Sequence, residues 1–388
     1  MPHYRRVGNI PRKRHIAFHD SDGQRIIEEL MGQEGFRSRS ALLYHRHTPS
    51  AVVAIESLSS SNAYDLTPDQ PLTPRHLRTS ELVGSSDLVT DRRLLLGNKD
   101  VRISWATASG SSPLYRNATG DELVYIQQGT AILESVFGPL QVSQGDYVIV
   151  PTSTTHRWVH NRELVGLIIE SSGHISPPNR YLSTEGQFLE HAPYCERDLR
   201  APDQSLIEEG EEIDVIVRTE AGLTSHTHQH HPFDVVGWDG CLYPWAFNIS
   251  DFEPIVGSIH QPPPVHQTFE GPGFVICSFV PRLYDFHPEA VKIPYHHANT
   301  DSDEVLFYSN GDFMSRAGSG IGIGSISYHP RGFIHGPQPG SYEASLPKDR
   351  AEETAVMIDT FAPLLVSAEA RAISDPDYPW SWAHQPKV

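Results

Sequence analysis

The strongest constraint on the fold is a motif that occurs twice in the chain, in the same order and at nearly the same spacing. The first copy reads Glu122-x6-Gly129, then Gly145-x5-Pro151-x-Ser153-x2-His156. The second copy reads Glu304-x6-Gly311, then Gly324-x5-Pro330-x-Gly332-x2-His335. From Glu to His the separation is 34 residues in the first copy and 31 in the second. Near-equal spacing of this kind indicates one structural unit that is duplicated.

Short apolar runs surround both copies and predict β-strands rather than helices. Examples are residues 123–126 and 147–150 in the first region, and 305–308 and 356–358 in the second. The 31 prolines and 29 glycines are spread along the chain and separate these runs as turns. We therefore predict an all-β fold with short helices, one of them around residues 26–31.

The repeated pattern resembles the two-part signature of the cupin family, whose members are jelly rolls of two sheets. The resemblance implies a bicupin, in which the metal-binding side chains of each motif converge in a barrel mouth. We predict an N-terminal arm and connecting segment over residues 1–90 and a first barrel over 91–175. An inter-domain segment over 176–230, a second barrel over 231–365 and a C-terminal tail over 366–388 follow.

Charge excludes several classes of partner. The chain has 30 Lys and Arg against 48 Asp and Glu, a formal net charge of −18. Such a chain repels nucleic acid and anionic membrane surfaces. We therefore expect the N-terminal basic residues, Arg5-Arg6 and Arg12-Lys13-Arg14, to pair with carboxylates of another domain or subunit.

Hydrophobic residues make up 38% of the chain, which is enough for a core. No apolar run approaches the roughly 18 residues of a membrane span. The odd set of distant cysteines, Cys195, Cys241 and Cys277, fits a reducing compartment. We expect a cytoplasmic protein.

The second copy contains the residue types of a metal site. His297 and Asn299 precede Glu304, and alternation along a strand would place the first two on one face. Two imidazoles and one carboxylate, with the other positions open, form the facial triad of non-haem Fe(II) oxygenases. We therefore predict His297, Glu304 and His335 as metal ligands, although these ligand types alone would also suit manganese or zinc.

The first copy lacks such a set. Tyr115 and Asn117 stand where the histidine pair would be, so only Glu122 and His156 remain. Ser153 replaces the glycine of the motif, which is consistent with a relaxed constraint. We predict that the first barrel is a metal-free structural copy.

The region from about 230 to 365 resembles homogentisate 1,2-dioxygenase, the Fe(II) enzyme that opens the ring of homogentisate in tyrosine catabolism. The segments that carry the resemblance are Pro232-Phe233-Asp234-Val235-Val236-Gly237-Trp238-Asp239-Gly240, Pro294-Tyr295-His296-His297-Ala298-Asn299, His335-Gly336-Pro337 and Tyr342-Glu343-Ala344-Ser345. The resemblance implies the same three ligands, Fe²⁺ as the metal, and an extradiol-type dioxygenase that acts on an aromatic substrate with O₂. We also expect a homo-oligomer.

Further site residues follow from the resemblance. His329, six positions before His335, corresponds to a histidine that contacts substrate and oxygen. His260 corresponds to the acid–base for the substrate phenol, but that alignment needs a small gap, so His266 is an alternative.

The chain also departs from the family. The spacing His297-x6-Glu304 is one residue longer, and a Tyr and a Lys on the substrate side correspond to Phe313 and Arg316. Arg316 is able to hold a carboxylate in bidentate fashion. Phe313, Arg316 and Tyr295 are therefore substrate-binding candidates. These departures leave three alternatives for the function. The protein is a dioxygenase that acts on homogentisate or a related acid, a dioxygenase that acts on a different phenol in a biosynthetic pathway, or a non-catalytic bicupin.

A histidine cluster, His226-x-His228-x-His230-His231, suggests a second metal site. No acidic residue or cysteine stands near it at ligand spacing. This composition favours a solvent-exposed or interface strand over a metal site.

Overall fold

The computed structural model describes residues 3–60 and 66–383. Strands dominate it. The regular helices of the described residues are two of five residues each, α1 (Ser341–Ser345) and α2 (Ala368–Ala372). The prediction of an all-β fold with short helices is confirmed.

The strands fall into four groups along the chain. The N-terminal group is β1 (Arg5–Gly8), β2 (Ile27–Gly32), β3 (Ser40–His45), β4 (Val52–Ser60) and β5 (Arg75–Arg78). The second group is β6 (Arg93–Gly97), β7 (Val101–Ala108), β8 (Tyr115–Asn117), β9 (Glu122–Gln128), β10 (Thr130–Ser135), β11 (Gly138–Ser143), β12 (Asp146–Val150), β13 (His156–Val159) and β14 (Leu164–Ser171). The third is β15 (Leu199–Arg200), β16 (Glu211–Thr219), β17 (Gly222–His230), β18 (Val235–Gly240) and β19 (Trp245–Asn248). The last is β20 (Gln267–Gly271), β21 (Phe274–Phe279), β22 (Arg282–Leu283), β23 (Asp303–Asn310), β24 (Ser325–His329), β25 (Arg350–Ala351), β26 (Thr354–Thr360) and β27 (Leu365–Val366).

Short 3₁₀ turns connect these strands. They are Glu34–Phe36, Thr79–Glu81, Asn179–Tyr181, Glu196–Asp198, Ile249–Asp251, Pro263–His266, Met314–Arg316 and Tyr378–Trp380.

The first barrel is formed by two antiparallel sheets. One contains β11, β10, β13 and β8, and the other contains β12, β9, β14 and β7. Apolar side chains from both sheets, including Val124, Leu133, Val148, Trp158 and Ile168, are buried together. Burial of both inner faces is what a jelly roll requires.

The second barrel is built on a sheet with the order β20-β21-β26-β23-β24-β5. Its remaining wall is less regular. It contains the two-stranded sheet of β22 and β25 and an isolated bridge between His297 and His335. The strand predicted over His297 and Asn299 is therefore a loop with a single bridging residue, in which His297 makes the bridge.

The N-terminal arm contains strands where the sequence predicted a helix and a loop. The helix predicted around residues 26–31 is wrong, because this segment is β2 and pairs with β3 from Ile27–His45 to Gly32–Ser40. In addition, β5 from the predicted arm pairs with β24 of the second barrel.

Strand pairing also departs from the predicted domain boundaries. The hairpin of β16 and β17, in the predicted inter-domain segment, extends the first barrel because β16 pairs with β8. Although β18 and β19 follow the predicted boundary at 231, they pair with β1, β3 and β12. Apart from β5, the sheet strands of the second barrel begin only with β20.

Two polar contacts fix the N-terminal arm. Nε of Arg14 donates to Asp239 at 3.0 Å, and the hydroxyl of Tyr4 donates to the same carboxylate at 3.0 Å. The expected pairing of the basic residues with distant carboxylates is thus found for Arg14.

None of the described helices is long and apolar enough to span a membrane. All three cysteines are free thiols.

The buried imidazole of His45 connects β3 to two carboxylates. Its Nδ1 lies 2.6 Å from Asp234 and its Nε2 lies 3.0 Å from Glu29. Burial alone would lower the pKa of His45, but these hydrogen bonds raise it to about 9.

We predict a stability loss at alkaline pH that depends on His45. Because its pKa is raised on folding, the protonated imidazole stabilises the fold fully below about pH 6.5, and this contribution is lost as the pH rises through about 9. The loss is about 3 kcal/mol at most. Urea unfolding at several pH values should show this slope in wild type and a flatter one in His45→Gln. The exposed His15→Gln is the control, and an unchanged slope in His45→Gln would contradict the assignment.

Candidate metal centre and substrate cavity

The three predicted ligands converge in the second barrel. His297 and His335 lie side by side because each backbone N–H donates to the other's carbonyl at 2.9 Å. Their ring centroids are 4.4 Å apart. Nε2 of His335 is 3.3 Å, and Nε2 of His297 is 3.8 Å, from the carboxylate of Glu304. One ligand atom from each residue lies within 4.8 Å of the other two.

The imidazoles are oriented for coordination. Nδ1 of His297 donates to the carbonyl of Tyr295 at 3.2 Å, and Nδ1 of His335 donates to that of Phe333 at 3.0 Å. These bonds leave the Nε2 lone pairs facing Glu304, as in metal-bound histidines. Nε2 of His335 is buried without a hydrogen-bond partner. An orphaned acceptor beside a carboxylate fits a metal ligand.

Glu304 is the anionic member of the set. Burial by itself would raise its pKa, but the imidazoles of His297, His329 and His335 hold the pKa well below the usual range. The donor set therefore contains two imidazoles and one ionised carboxylate. It fits a divalent first-row metal and matches the facial triad of non-haem iron sites.

The sequence predicted that His329 contacts the substrate, but in the structure its side chain lies behind Glu304. The register of β23 and β24 pairs it with Glu304, and its side chain is completely buried and stacked on His335 at 4.0 Å. Nδ1 lies 2.9 Å from Glu304, and Nε2 lies 2.9 Å from the hydroxyl of Tyr378. Both ring nitrogens are thus occupied, so the structure gives His329 a supporting position behind the carboxylate.

The direction of these bonds follows from chemistry. Burial lowers the pKa of His329 to about 3, so the imidazole is neutral and carries one N–H. An ionised carboxylate only accepts, so Nδ1 donates to Glu304 and Nε2 accepts from the hydroxyl of Tyr378. A hydrogen-bonded chain therefore runs from the C-terminal segment to the metal-binding carboxylate.

Sequence reasoning missed two residues of this centre. Tyr378 lies in the predicted tail, where no motif marks it. Asp359 on β26 pairs in register with Glu304 and accepts a bond from Asn299 at 3.3 Å. Burial and the charge of Glu304 raise the pKa of Asp359 to about 8. The one sequence signal for Asp359 is an acidic residue directly after a buried apolar run.

A cavity of about 150 Å³ adjoins the ligands. A dry protein cavity of about this volume accommodates one benzene ring. His297 and Glu304 contribute to its wall, together with apolar side chains such as Phe279, Leu306 and Met357. The cavity therefore suits a single aromatic ring next to the metal centre.

The structure divides the predicted substrate residues into two groups. His260, His266 and Arg316 line the cavity. Phe313 and Tyr295 are not part of its wall: Phe313 is buried against Tyr308, and Tyr295 is exposed and packs against His260. The aromatic positions that align with the family are thus displaced from the ring site.

The two candidate bases differ in environment. His260 is exposed at the rim, whereas His266 is buried and packs against Phe279. Burial and the nearby Arg282 lower the pKa of His266 to about 3. A histidine with so low a pKa is a weak base at neutral pH.

Arg316 brings a buried positive charge to the cavity. Its Nε donates to the hydroxyl of Tyr308 at 3.0 Å and its Nη1 donates to the carbonyl of Gly336 at 2.7 Å. Among the described residues it forms no ion pair. A buried guanidinium with only neutral partners favours an anionic ligand.

The first barrel also contains a buried carboxylate, that of Glu122, but different groups compensate its charge. Arg92 lies 2.7 Å from Glu122 and 2.8 Å from Glu170, and Tyr115 and Asn117 each donate to Glu122 at 2.9 Å. Although burial raises it, the charge of Arg92 lowers the pKa of Glu122 to about 2. A guanidinium therefore neutralises the carboxylate in this copy, where the second copy gathers histidines.

Fold and site together define a bicupin with a two-histidine, one-carboxylate centre in its second barrel. Residues 77–249 match the family described as homogentisate 1,2-dioxygenase N-terminal. A protein of Saccharolobus solfataricus, whose name assigns it provisionally as a dioxygenase, is 41% identical over 98% of this chain and 99% of its own. The chain therefore belongs to the homogentisate 1,2-dioxygenase family. The family match falls largely on the first barrel, whereas the sequence motifs pointed to the second.

Homogentisate 1,2-dioxygenases are more distant relatives. That of Emericella nidulans is 26% identical, with 60% of this chain and 53% of its own covered. That of Bradyrhizobium diazoefficiens is 25% identical, with 69% and 62% covered. The match thus spans little more than half of their length.

Two solved structures resemble parts of the chain. They are a cupin 2 conserved barrel domain protein from Leptotrichia buccalis (10% identity, 76% of this chain and 100% of that one, TM-score 0.36) and the coconut allergen cocosin (14%, 77% and 90%, TM-score 0.32). The strand topology of the chain itself defines its fold.

We predict that Glu304→Ala abolishes metal binding and activity, because two neutral imidazoles do not offset a dication as a carboxylate does. Metal analysis of the purified variant after incubation with Fe(II) measures this. Full iron occupancy in Glu304→Ala would contradict the assignment.

His156→Ala is the matched control, since His156 occupies in the first copy the position of His335. It should retain one iron per chain and change only stability. Loss of half of the iron in this variant would show that both barrels bind metal.

Proposed function

We propose that the protein is an Fe(II)-dependent ring-cleaving dioxygenase that inserts both atoms of O₂ into homogentisate or a related hydroxylated aromatic acid. The observation that carries this proposal is the convergence of His297, Glu304 and His335 beside a ring-sized cavity, whose wall includes His297 and Glu304. Bound there, Fe(II) supplies the redox chemistry by which O₂ reacts with an aromatic ring. The chain supplies binding, orientation and proton transfer.

Arg316 recognises the acid group of the substrate. Its guanidinium is buried, lines the cavity and has only the neutral partners Tyr308 and Gly336. A substrate carboxylate would compensate this charge with a charge-assisted, bidentate contact. The apolar wall around Phe279 and Met357 then receives the ring.

His260 takes the phenol proton. A phenol has a pKa of about 10, so binding as phenolate at neutral pH needs a base nearby. His260 is exposed and lines the cavity, so its imidazole is accessible to a bound phenol. His266 is less suited because its pKa is lowered to about 3.

A different phenol in a biosynthetic pathway is the second candidate. The observation that favours it is Phe313, which stands where the family has a tyrosine and packs against Tyr308 outside the cavity. A non-catalytic bicupin is less well supported, because the complete ligand set is retained in one copy beside an adjoining cavity.

Oxygen uptake decides between these functions. Iron-loaded protein should consume O₂ with at least one member of a panel of hydroquinone and catechol acids, and Glu304→Ala should consume none. Homogentisate as the best substrate supports the first candidate, and another phenol supports the second. Failure of the whole panel to cause uptake would count against a ring-cleaving dioxygenase.

For proton transfer, we predict that His260→Ala retains its iron and loses activity by about a hundredfold or more. Activity should recover partly at alkaline pH, where the phenol ionises without a base. The measurement is the pH dependence of kcat for both histidine variants.

His266→Ala should be milder and serves as the comparison. A near-normal rate in the His260 variant together with a collapse in the His266 variant would transfer the role to His266.

For acid recognition, we predict that Arg316→Lys raises KM for the carboxylate substrate by about tenfold or more, since the bidentate contact is lost. KM for the methyl ester of the same substrate should change little. The ratio of the two KM values isolates the carboxylate contact from any general damage. An equal rise in both would show that Arg316 has a structural role instead.

A further inference from the structure

A second cavity, separate from the metal centre, lies between the N-terminal sheet and the first barrel. Its volume is about 70 Å³. Six basic side chains contribute to its wall: His45, His47, Arg116, His228, His230 and His231. It shares no residue with the cavity beside Glu304. Part of the histidine cluster noted in the sequence therefore faces a cavity.

Arg116 on β8 is a cation whose hydrogen-bond partner is neutral, while the charge of Glu29 in the same cavity wall acts on it from beyond salt-bridge distance. Its Nε and Nη2 donate to the hydroxyl of Thr155 at 2.9 and 2.6 Å. It forms no ion pair within the described part of the chain, and burial lowers the pKa of its guanidinium. A desolvated charge with one neutral partner is costly unless an anion compensates it.

His228 on β17 provides an unpartnered polar atom. The residue is 7% exposed, it lines the cavity, and its Nε2 has no hydrogen-bond partner. Burial and the charge of Arg116 lower the pKa of His228 to about 4, so the ring is neutral at pH 7. A neutral imidazole with a free ring nitrogen is able to donate one hydrogen bond to an oxyanion.

The carboxylates of this cavity are already engaged. Glu29 and Asp234 both bind the protonated His45, and Asp234 also contacts His47 at 3.2 Å. In residues 3–60 and 66–383, the metal centre of the second barrel supplies the one group of three ligand residues with converging atoms. The positive Arg116 further disfavours a cation here.

Ser153 has an unusual backbone conformation for a residue with a side chain. It lies in the cavity wall with φ +64°, a conformation that favours glycine, whereas the second copy has Gly332 there with φ +74°. Such a backbone is strained for a residue with a side chain. The first barrel therefore keeps the backbone conformation of the motif although serine replaces its glycine.

We propose that this cavity binds a small oxyanion, a carboxylate or a phosphate, through Arg116 and His228, with Ser153 at its wall. The site is independent of the proposed dioxygenase activity. Its volume limits the bound group to one oxyanion head.

Titration calorimetry of the full-length protein with inorganic phosphate, and separately with acetate, at constant ionic strength tests the proposal. Wild type should bind at least one of the two with one site per chain. Arg116→Gln and His228→Gln should each weaken binding by about tenfold or more. Arg116→Lys should retain most of the affinity, which separates charge loss from misfolding. Arg162→Gln, at an exposed arginine, is the matched control and should bind as wild type does.

The outcomes are distinct. Binding of phosphate alone or of acetate alone supports the site and identifies the anion. Binding of neither, or an unchanged affinity in both Arg116→Gln and His228→Gln, overturns it. Stoichiometric zinc binding that is lost in His228→Gln while Glu304→Ala retains it would also overturn the proposal, since the cavity would then be a metal site.

Discussion

The buried carboxylate of Glu304 is the constraint around which the second barrel is organised. An ionised group with so little solvent contact is tolerated only when opposite charge or hydrogen-bond donors surround it. Here His329 donates to it, and the Nε2 atoms of His297 and His335 face it within 4 Å. A divalent metal bound there would complete the compensation, so stability of the barrel and metal binding would be two aspects of one electrostatic requirement.

The first barrel faces the same requirement and meets it with protein groups alone. Glu122 has the same motif position, yet it is held by Arg92, Tyr115 and Asn117. A guanidinium is permanently charged and cannot exchange for a metal. In the first barrel the compensating cation is thus a protein side chain, whereas in the proposed metal centre of the second barrel it would be a bound metal ion. Conversely, Arg116 on β8 of the first barrel is a cation that forms no salt bridge and hydrogen-bonds only to the neutral Thr155.

Strands that are distant in sequence pair with one another and join the terminal segments to the two barrels. The arm strand β5 completes the sheet of the second barrel, and β27 near the C-terminus pairs with β6 beside the first. The C-terminal segment then returns over the metal centre, where Tyr378 binds His329 and Trp382 donates to the carbonyl of Gly336 at 3.0 Å. Gly336 also accepts from Arg316, so this segment touches both the metal-binding and the substrate-binding side of the centre.

The sequence alone determined the all-β class and the three residues that converge at the metal centre, because turn spacing and the positions of Glu and His within each motif are local properties of a strand hairpin. Tertiary structure alone decided which groups surround those residues. Tyr378 is 49 residues from His329, and Arg92 is 30 residues from Glu122. No local pattern encodes such contacts, since they depend on how separate strands pack. The same holds for β2. Its sequence predicted a helix, but the segment is a strand because it pairs with β3.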